Sequence, residues 1–102
     1  MGLLDIFNRE DKTSEILKQG GVVIDVRSPG EFQSGHVKGS KNIPLGEISS
    51  NVEQIKKMKK PVVLCCASGM RSGTATLTLR NHGVECTNGG SWTKVNRKLN
   101  EL

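Results

Sequence analysis

Aromatic side chains are scarce in this sequence: one tryptophan, two phenylalanines and no tyrosine, 3% of 102 residues. Single-stranded nucleic acid is held largely by stacking its bases on such rings, so their scarcity argues against a nucleic-acid partner. The formal net charge of +5 does not reverse this. Much of the excess sits in Lys56, Lys57, Lys59 and Lys60, which helical spacing spreads over a solvated outer face instead of gathering into a groove. Long apolar runs are also missing, which excludes a membrane-spanning helix. The opening Met1-Gly2-Leu3-Leu4-Asp5-Ile6-Phe7 is interrupted by charge and lacks signal-peptide architecture, so a cytoplasmic protein with no membrane partner is expected. The cysteines, Cys65, Cys66 and Cys86, are odd in number and show no C-x-x-C spacing. That removes the basis for a disulfide framework or a four-ligand zinc site, so no metal is expected, and free thiols fit the cytosol. The length suits one domain with a single core, taken as residues 1–102 with 1–12 as a loosely packed N-terminal segment, and a monomer is expected.

The pattern along the chain alternates short strands with helices. Two helical pieces are expected at the start, Leu3 to Phe7 and Ser14 to Gln19, the second capped by Thr13 and stopped at Gly20-Gly21. The β-branched run Val22 to Val26 reads as a buried strand with Asp25 near its carboxyl end. After Pro29, Gly30 to Ser34 makes a helical turn, and Asn42-Ile43 is a brief strand ended by Pro44. Ser50-x-x-Glu53 has the form of a capping box for a helix whose apolar face carries Ile48, Val52, Ile55 and Met58. Val62 to Cys65 is a second continuous apolar strand, of the kind covered on both faces. A helix from Ser72 to His82 follows, with Ala75, Leu77 and Leu79 as its buried stripe and Gly83 as its stop. Val84-Glu85-Cys86 is read as the last strand, Asn88-Gly89-Gly90 as a tight turn, and Ser91 as the cap of a helix from Trp92 toward Asn100. Together these imply an α/β fold, a small parallel sheet with helices on both faces. Ligands of such folds sit at the carboxyl ends of the strands, where Cys66 and Asp25 fall.

Cys66-Ala67-Ser68-Gly69-Met70-Arg71 lies between the second buried strand and the following helix. Backbone N–H groups of a short loop and the positive end of the next helix both favour an anion, and so lower the pKa of a thiol placed there. Arg71 ends the loop with a planar fork of donors suited to oxyanions, or to a structural ion pair. The segment thus predicts anion-binding cysteine chemistry, with Cys66 as nucleophile. Cys65, the last residue of an alternating strand, is expected to point away from the pocket into the core, and Cys86 is assigned to the core as well.

Two separated motifs carry a family resemblance. Asp25-Val26-Arg27-Ser28-Pro29-Gly30-Glu31-Phe32-Gln33-Ser34-Gly35-His36-Val37-Lys38-Gly39-Ser40-Lys41-Asn42-Ile43-Pro44 is similar to D-V-R-x-x-x-E-[FY]-x-x-G-H-[IV]-x-G-[AS]-x-[NH]-[IL]-P, and Cys66, Gly69, Arg71 and Ser72 match C-x-x-G-x-R-S. The chain resembles a single-domain rhodanese from Ser14 onward. The resemblance implies a sulfurtransferase in which Cys66 takes a sulfane sulfur as a persulfide, using no cofactor. The implied donor is a small anion such as thiosulfate, and the acceptor a thiol, cyanide or a persulfide-accepting protein. Ala67, Ser68, Gly69, Met70, Arg71 and Ser72 would bind the donor, with Ser72 equally readable as a helix cap. Asp25, Arg27, Glu31 and His36 would brace the site, Asp25 by orienting the loop and His36 by scaffold hydrogen bonding. Trp92 is placed at the pocket rim or core edge. Asn88 before Gly89-Gly90, with Trp92 almost at once after them, departs from a family that favours an aliphatic residue and a later tryptophan. The fold's amino-terminal strand is not obvious, Ile6 and Phe7 being readable as strand or helix. The rival readings are a phosphatase or arsenate reductase that counts a cysteine, five residues and an arginine from Cys65, and a non-enzymatic persulfide carrier.

Overall fold

The computed structural model describes residues 12–102, so the expected Leu3–Phe7 helix, the strand-or-helix question at Ile6 and Phe7 and nearly all of the N-terminal segment lie outside the described residues. Helix α1 covers residues 12–18 and leads into strand β1, Val22–Asp25. Then come helix α2 (Pro29–Gln33), strand β2 (Lys41–Asn42), two 3-10 turns (Leu45–Glu47 and Ser49–Asn51) and helix α3 (Val52–Lys57). Strand β3 (Val62–Cys66), helix α4 (Met70–Asn81), strand β4 (Cys86–Ser91) and helix α5 (Trp92–Asn100) complete the described chain. The strands form one sheet in the order β2-β1-β3-β4, with every pairing parallel. The expected small parallel sheet with helices on both faces is therefore present.

Strict alternation along β3 divides the core. Val62, Leu64 and Cys66 pack with Ile55 of α3 and Ala75 and Leu79 of α4. Val63 and Cys65 face the opposite way, toward Ile16 and Leu17 of α1 and Val95 of α5. All five β3 residues are buried, as both-sided coverage requires. Each fully buried Val, Leu or Ile side chain contributes about 1.5–3 kcal/mol over its exposed state, so the two clusters supply most of the drive to fold.

Several local expectations are corrected. Thr13 is not a cap: it is buried inside α1. No capping box forms at Ser50, whose hydroxyl donates to the Glu47 carbonyl, and α3 starts after Asn51 without a side-chain cap. The box forms instead at Ser28, where the hydroxyl accepts the Glu31 N–H and the Glu31 carboxylate accepts the Ser28 N–H, starting α2 one residue before the expected turn. Strand β2 likewise begins one residue early, at Lys41. Helix α4 starts at Met70 because Gly69, at φ 103°, turns the chain in the left-handed region open to glycine. Ser72 is therefore a buried residue of the first turn and not its cap. The buried face of α4 is Ser72, Ala75, Thr76 and Leu79, a true i, i+3, i+4, i+7 set, and Leu77 is exposed.

The largest correction concerns β4. It starts at Cys86 and runs straight through Asn88-Gly89-Gly90, which is strand and not turn. The register shifts there, pairing Leu64 with Asn88 but Cys65 with Gly90, so Gly89 is an extra residue. A Cβ on Gly89 would lie 2.6 Å from Val95 Cγ2 and 2.7 Å from Val63 Cγ1, which only glycine avoids. Ser91 ends the strand and caps α5 as expected, its hydroxyl accepting the Lys94 N–H.

Candidate active site

Cys66 ends β3, and the chain turns at Gly69 so that the start of α4 folds back over the sulfur. The Gly69 N–H lies 3.0 Å from Sγ, the Ser72 N–H 3.4 Å and the Ser72 hydroxyl 3.3 Å. Burial alone would push the Cys66 thiol up. The Ser72 hydroxyl, the Ser72 N–H, the Gly69 N–H and the Ser68 N–H outweigh it together and hold the thiol below its ordinary value. Cys65, one residue away, has no such donors: burial and the nearby Asp25 carboxylate push it up to about 12. Cys86 is raised too, chiefly by burial. Only one of the three thiols is thus prepared to ionise, the one at the carboxyl end of β3, where it is buried beneath its donors.

Ala67 and Ser68 are exposed on the loop, and Met70 projects outward with 81% of its surface exposed. Of the two readings of Ser72, the structure has its hydroxyl at the sulfur and not capping the helix. The Arg71 guanidinium meets the Glu31 carboxylate at 2.8 and 3.0 Å, so the loop arginine and the acid of the first motif form a two-pronged pair that joins the two motifs. That hydrogen-bonded pair, with the Ser28 bonds behind it, holds the Glu31 carboxyl down at about 2. Its favourable contribution to the folded state is present above the ordinary carboxyl value and is lost as pH falls toward 2, so the pair persists through neutral and mildly acidic solution.

The Asp25 side chain is turned to Arg27. Its carboxylate accepts the Arg27 backbone N–H at 3.0 Å and the Arg27 guanidinium at 2.7–3.0 Å, both residues being buried. The same guanidinium donates to the carbonyls of Glu31 and Gly35 and lies 5.1 Å from the centre of the Trp92 ring. Arg27 therefore fastens β1, α2 and the start of α5 together, and through α2 it fixes where Glu31 holds Arg71. His36 Nδ1 is 2.7 Å from the Phe32 carbonyl and the ring stacks on Phe32 at 3.7 Å. Trp92 is half-buried beside Gly35 at the edge of the core.

Asn88 was missed as a site residue. Its Nδ2 donates to the Gly69 carbonyl at 2.9 Å, and its Oδ1 accepts from the Ser72 hydroxyl at 2.7 Å and the Gly90 N–H at 3.0 Å. The one signal available was its departure from the pattern before Gly89-Gly90. Among the described residues no group of His, Cys, Asp and Glu is arranged to hold a metal ion, and no helix is long and apolar enough to cross a membrane.

A parallel sheet with an activated thiol at its carboxyl edge, enclosed by backbone donors, defines a cysteine-centred α/β domain. Residues 10–97 match the family described as Rhodanese-like domain. The chain belongs to the rhodanese-like family. It is similar to the uncharacterised protein YqhL of Bacillus subtilis, 46% identical over 65 residues, covering 64% of this chain and 49% of that protein. It is also similar to the thiosulfate sulfurtransferase GlpE of Pseudoalteromonas translucida, 33% identical over 75 residues, covering 72% of this chain and 70% of that one. A solved rhodanese with anions from E. coli superposes with a TM-score of 0.67 at 33% identity, covering 72% of this chain and 89% of that chain. The chain spans about half the length or less of the first curated relatives it matches.

Proposed function

We propose that the protein is a sulfurtransferase that carries a sulfane sulfur on Cys66. The observation that supports this most strongly is the cluster of donors from Gly69 and Ser72 around a sulfur whose pKa they lower. In the first step the Cys66 thiolate attacks the outer sulfur of thiosulfate. The S–S bond of the donor breaks, its electron pair leaves with sulfite, and Cys66 becomes a persulfide. In the second step a thiolate or cyanide attacks the terminal sulfur, and the electron pair of the persulfide bond returns to Cys66 as thiolate. Neither step needs a cofactor, because a nucleophile already ionised needs no base.

The test is mass spectrometry of the isolated protein after exposure to thiosulfate, with an aryl phosphate offered to a parallel sample. One added sulfur on Cys66 is the expected result. Efficient phosphate hydrolysis with no sulfur uptake overturns the reading. The phosphatase count from Cys65 is disfavoured because that thiol is buried on the opposite face and held near 12. Turnover with free thiosulfate and cyanide separates an enzyme from a domain that only carries the persulfide.

Arg71 enters this chemistry by competition. Its guanidinium is held by Glu31 and partly exposed, so an anionic donor has to draw it from the carboxylate. Arg71→Lys is expected to lower kcat/KM for thiosulfate by about tenfold, since an ammonium does not reproduce the fork. Glu31→Gln is expected to lower KM by freeing the guanidinium. Steady-state kinetics of both variants check this, and unchanged values in Arg71→Lys would leave Arg71 only its pairing with Glu31.

A further inference from the structure

The sulfur chemistry above leaves the Asn88 side chain without a role, yet its amide is held at both ends. Nδ2 meets the Gly69 carbonyl and Oδ1 meets the Gly90 N–H. A carbonyl cannot donate and an N–H cannot accept, so these two partners determine which end of the amide is oxygen. Gly73 of α4 leaves the space for it, since a Cβ there would come within 3.3 Å of Nδ2.

The oriented Oδ1 is 2.7 Å from Ser72 Oγ, and that same Oγ is 3.3 Å from Cys66 Sγ. A hydroxyl has one proton to donate, and Oδ1 has none to offer in return. We propose that Asn88 is a positioning residue for the Cys66 nucleophile, drawing the Ser72 hydroxyl's hydrogen bond toward itself and yielding that bond to the sulfur when the thiolate forms. With Cys66 protonated, its S–H faces the Ser72 Oγ lone pair and the hydroxyl proton points to Asn88. With Cys66 ionised, the hydroxyl turns to the sulfur and Oδ1 keeps the Gly90 N–H. The proton stays on Ser72 throughout. Asn88 thus restrains the thiolate by competing for one of its donors. The charged groups facing this region are Asp25 of β1, Arg27 after it, Glu31 of α2, Arg71 and Arg80 of α4, the latter lining a cavity with Asn88, and the Lys94 stem of α5 near Gly90. Removing the Asn88 amide alters the charge of none of them.

The inference rests on the reading of Cys66 as nucleophile but not on the identity of the sulfur donor, and its test is independent of turnover. Iodoacetamide alkylation of Cys66 is followed against pH by peptide mass spectrometry, using the full chain. Asn88→Ala is expected to move the midpoint to lower pH, raising the thiolate fraction below the midpoint about three- to tenfold. Ser72→Ala is expected to move it upward, and adding Asn88→Ala to Ser72→Ala is expected to change nothing further. An amide that merely braced the loop gives the opposite sign, because a slackened Gly69 points its N–H less well at the sulfur. A rise in Asn88→Ala, no change, or an equal fall in the Ser72→Ala background overturns the proposal. Asn88→Val, β-branched and suited to a strand, supplies the same measurement if the alanine variant does not fold. Thiosulfate treatment of the same samples keeps the two readings apart: coupling without a persulfide rejects the sulfur chemistry and keeps the Asn88 assignment, and a persulfide without coupling does the reverse.

Discussion

Cys66→Ser is expected to lose sulfur uptake and turnover by at least about three orders of magnitude, because the other thiols are not placed to replace the nucleophile. The hydroxyl would sit among the same donors from Gly69 and Ser72, but hydroxyl ionisation lies far outside the range in which those donors act. Cys65→Ser is the informative partner. Its side chain lies on the opposite face of β3 among Ile16, Leu17 and Val95, so the variant is expected to lose some stability and keep most of its activity. Persulfide detection by mass spectrometry together with thiosulfate kinetics measures both. A dead Cys65→Ser beside an active Cys66→Ser would mean that the strand turns Cys65, and not Cys66, toward the donors of the loop.

Arg27→Ala is expected to have the largest effect on stability. Asp25 is fully buried, and its carboxylate accepts three of its hydrogen bonds from the Arg27 side chain. Truncating the arginine leaves an uncompensated buried charge, along with the carbonyls of Glu31 and Gly35 stripped of a donor, at a cost of about 3–5 kcal/mol. That is a large part of what a domain of this size has in total. Arg27→Lys is expected to recover little, since one ammonium cannot meet Asp25 and both carbonyls at once. Urea unfolding checks this through the midpoint at constant slope, and a midpoint equal to that of the unaltered protein would show that the pair contributes nothing net.

The Cys65/Cys66 distinction was legible because side-chain alternation in a strand is strict, and a continuous apolar run before a glycine loop leaves little freedom in register. Of the expected loop donors the Ser68 and Gly69 N–H groups act on the sulfur, and the Ser72 N–H, within α4, joins them. Other features depended on context that a local pattern does not contain. The S-x-x-E signature occurs at Ser28 and at Ser50, yet only Ser28 caps a helix, because the chain around Ser50 is already wound into 3-10 turns. Asn88-Gly89-Gly90 has the composition of a turn, but pairing with β3 draws it into the sheet and Gly89 fits where Val63 and Val95 close in. Serine at the start of a helical pattern reads as a cap, and the left-handed Gly69 starting α4 two residues earlier put Ser72 beside the sulfur instead. Arg71's partner was 40 residues away, a separation that no spacing rule reports.

The strand register also governs the oxidative fate of this site. Cys65 adjoins Cys66 in sequence but faces the other side of the sheet, and a ring closed between them would be strained. Cys86 pairs with Val62, four residues before Cys66, a distance of about 13 Å along the strand and too far for a disulfide without moving the backbone. The chain has no further cysteine. A sulfenic acid formed on Cys66 therefore has no resolving thiol within this domain: neither Cys65 nor Cys86 is placed to meet it.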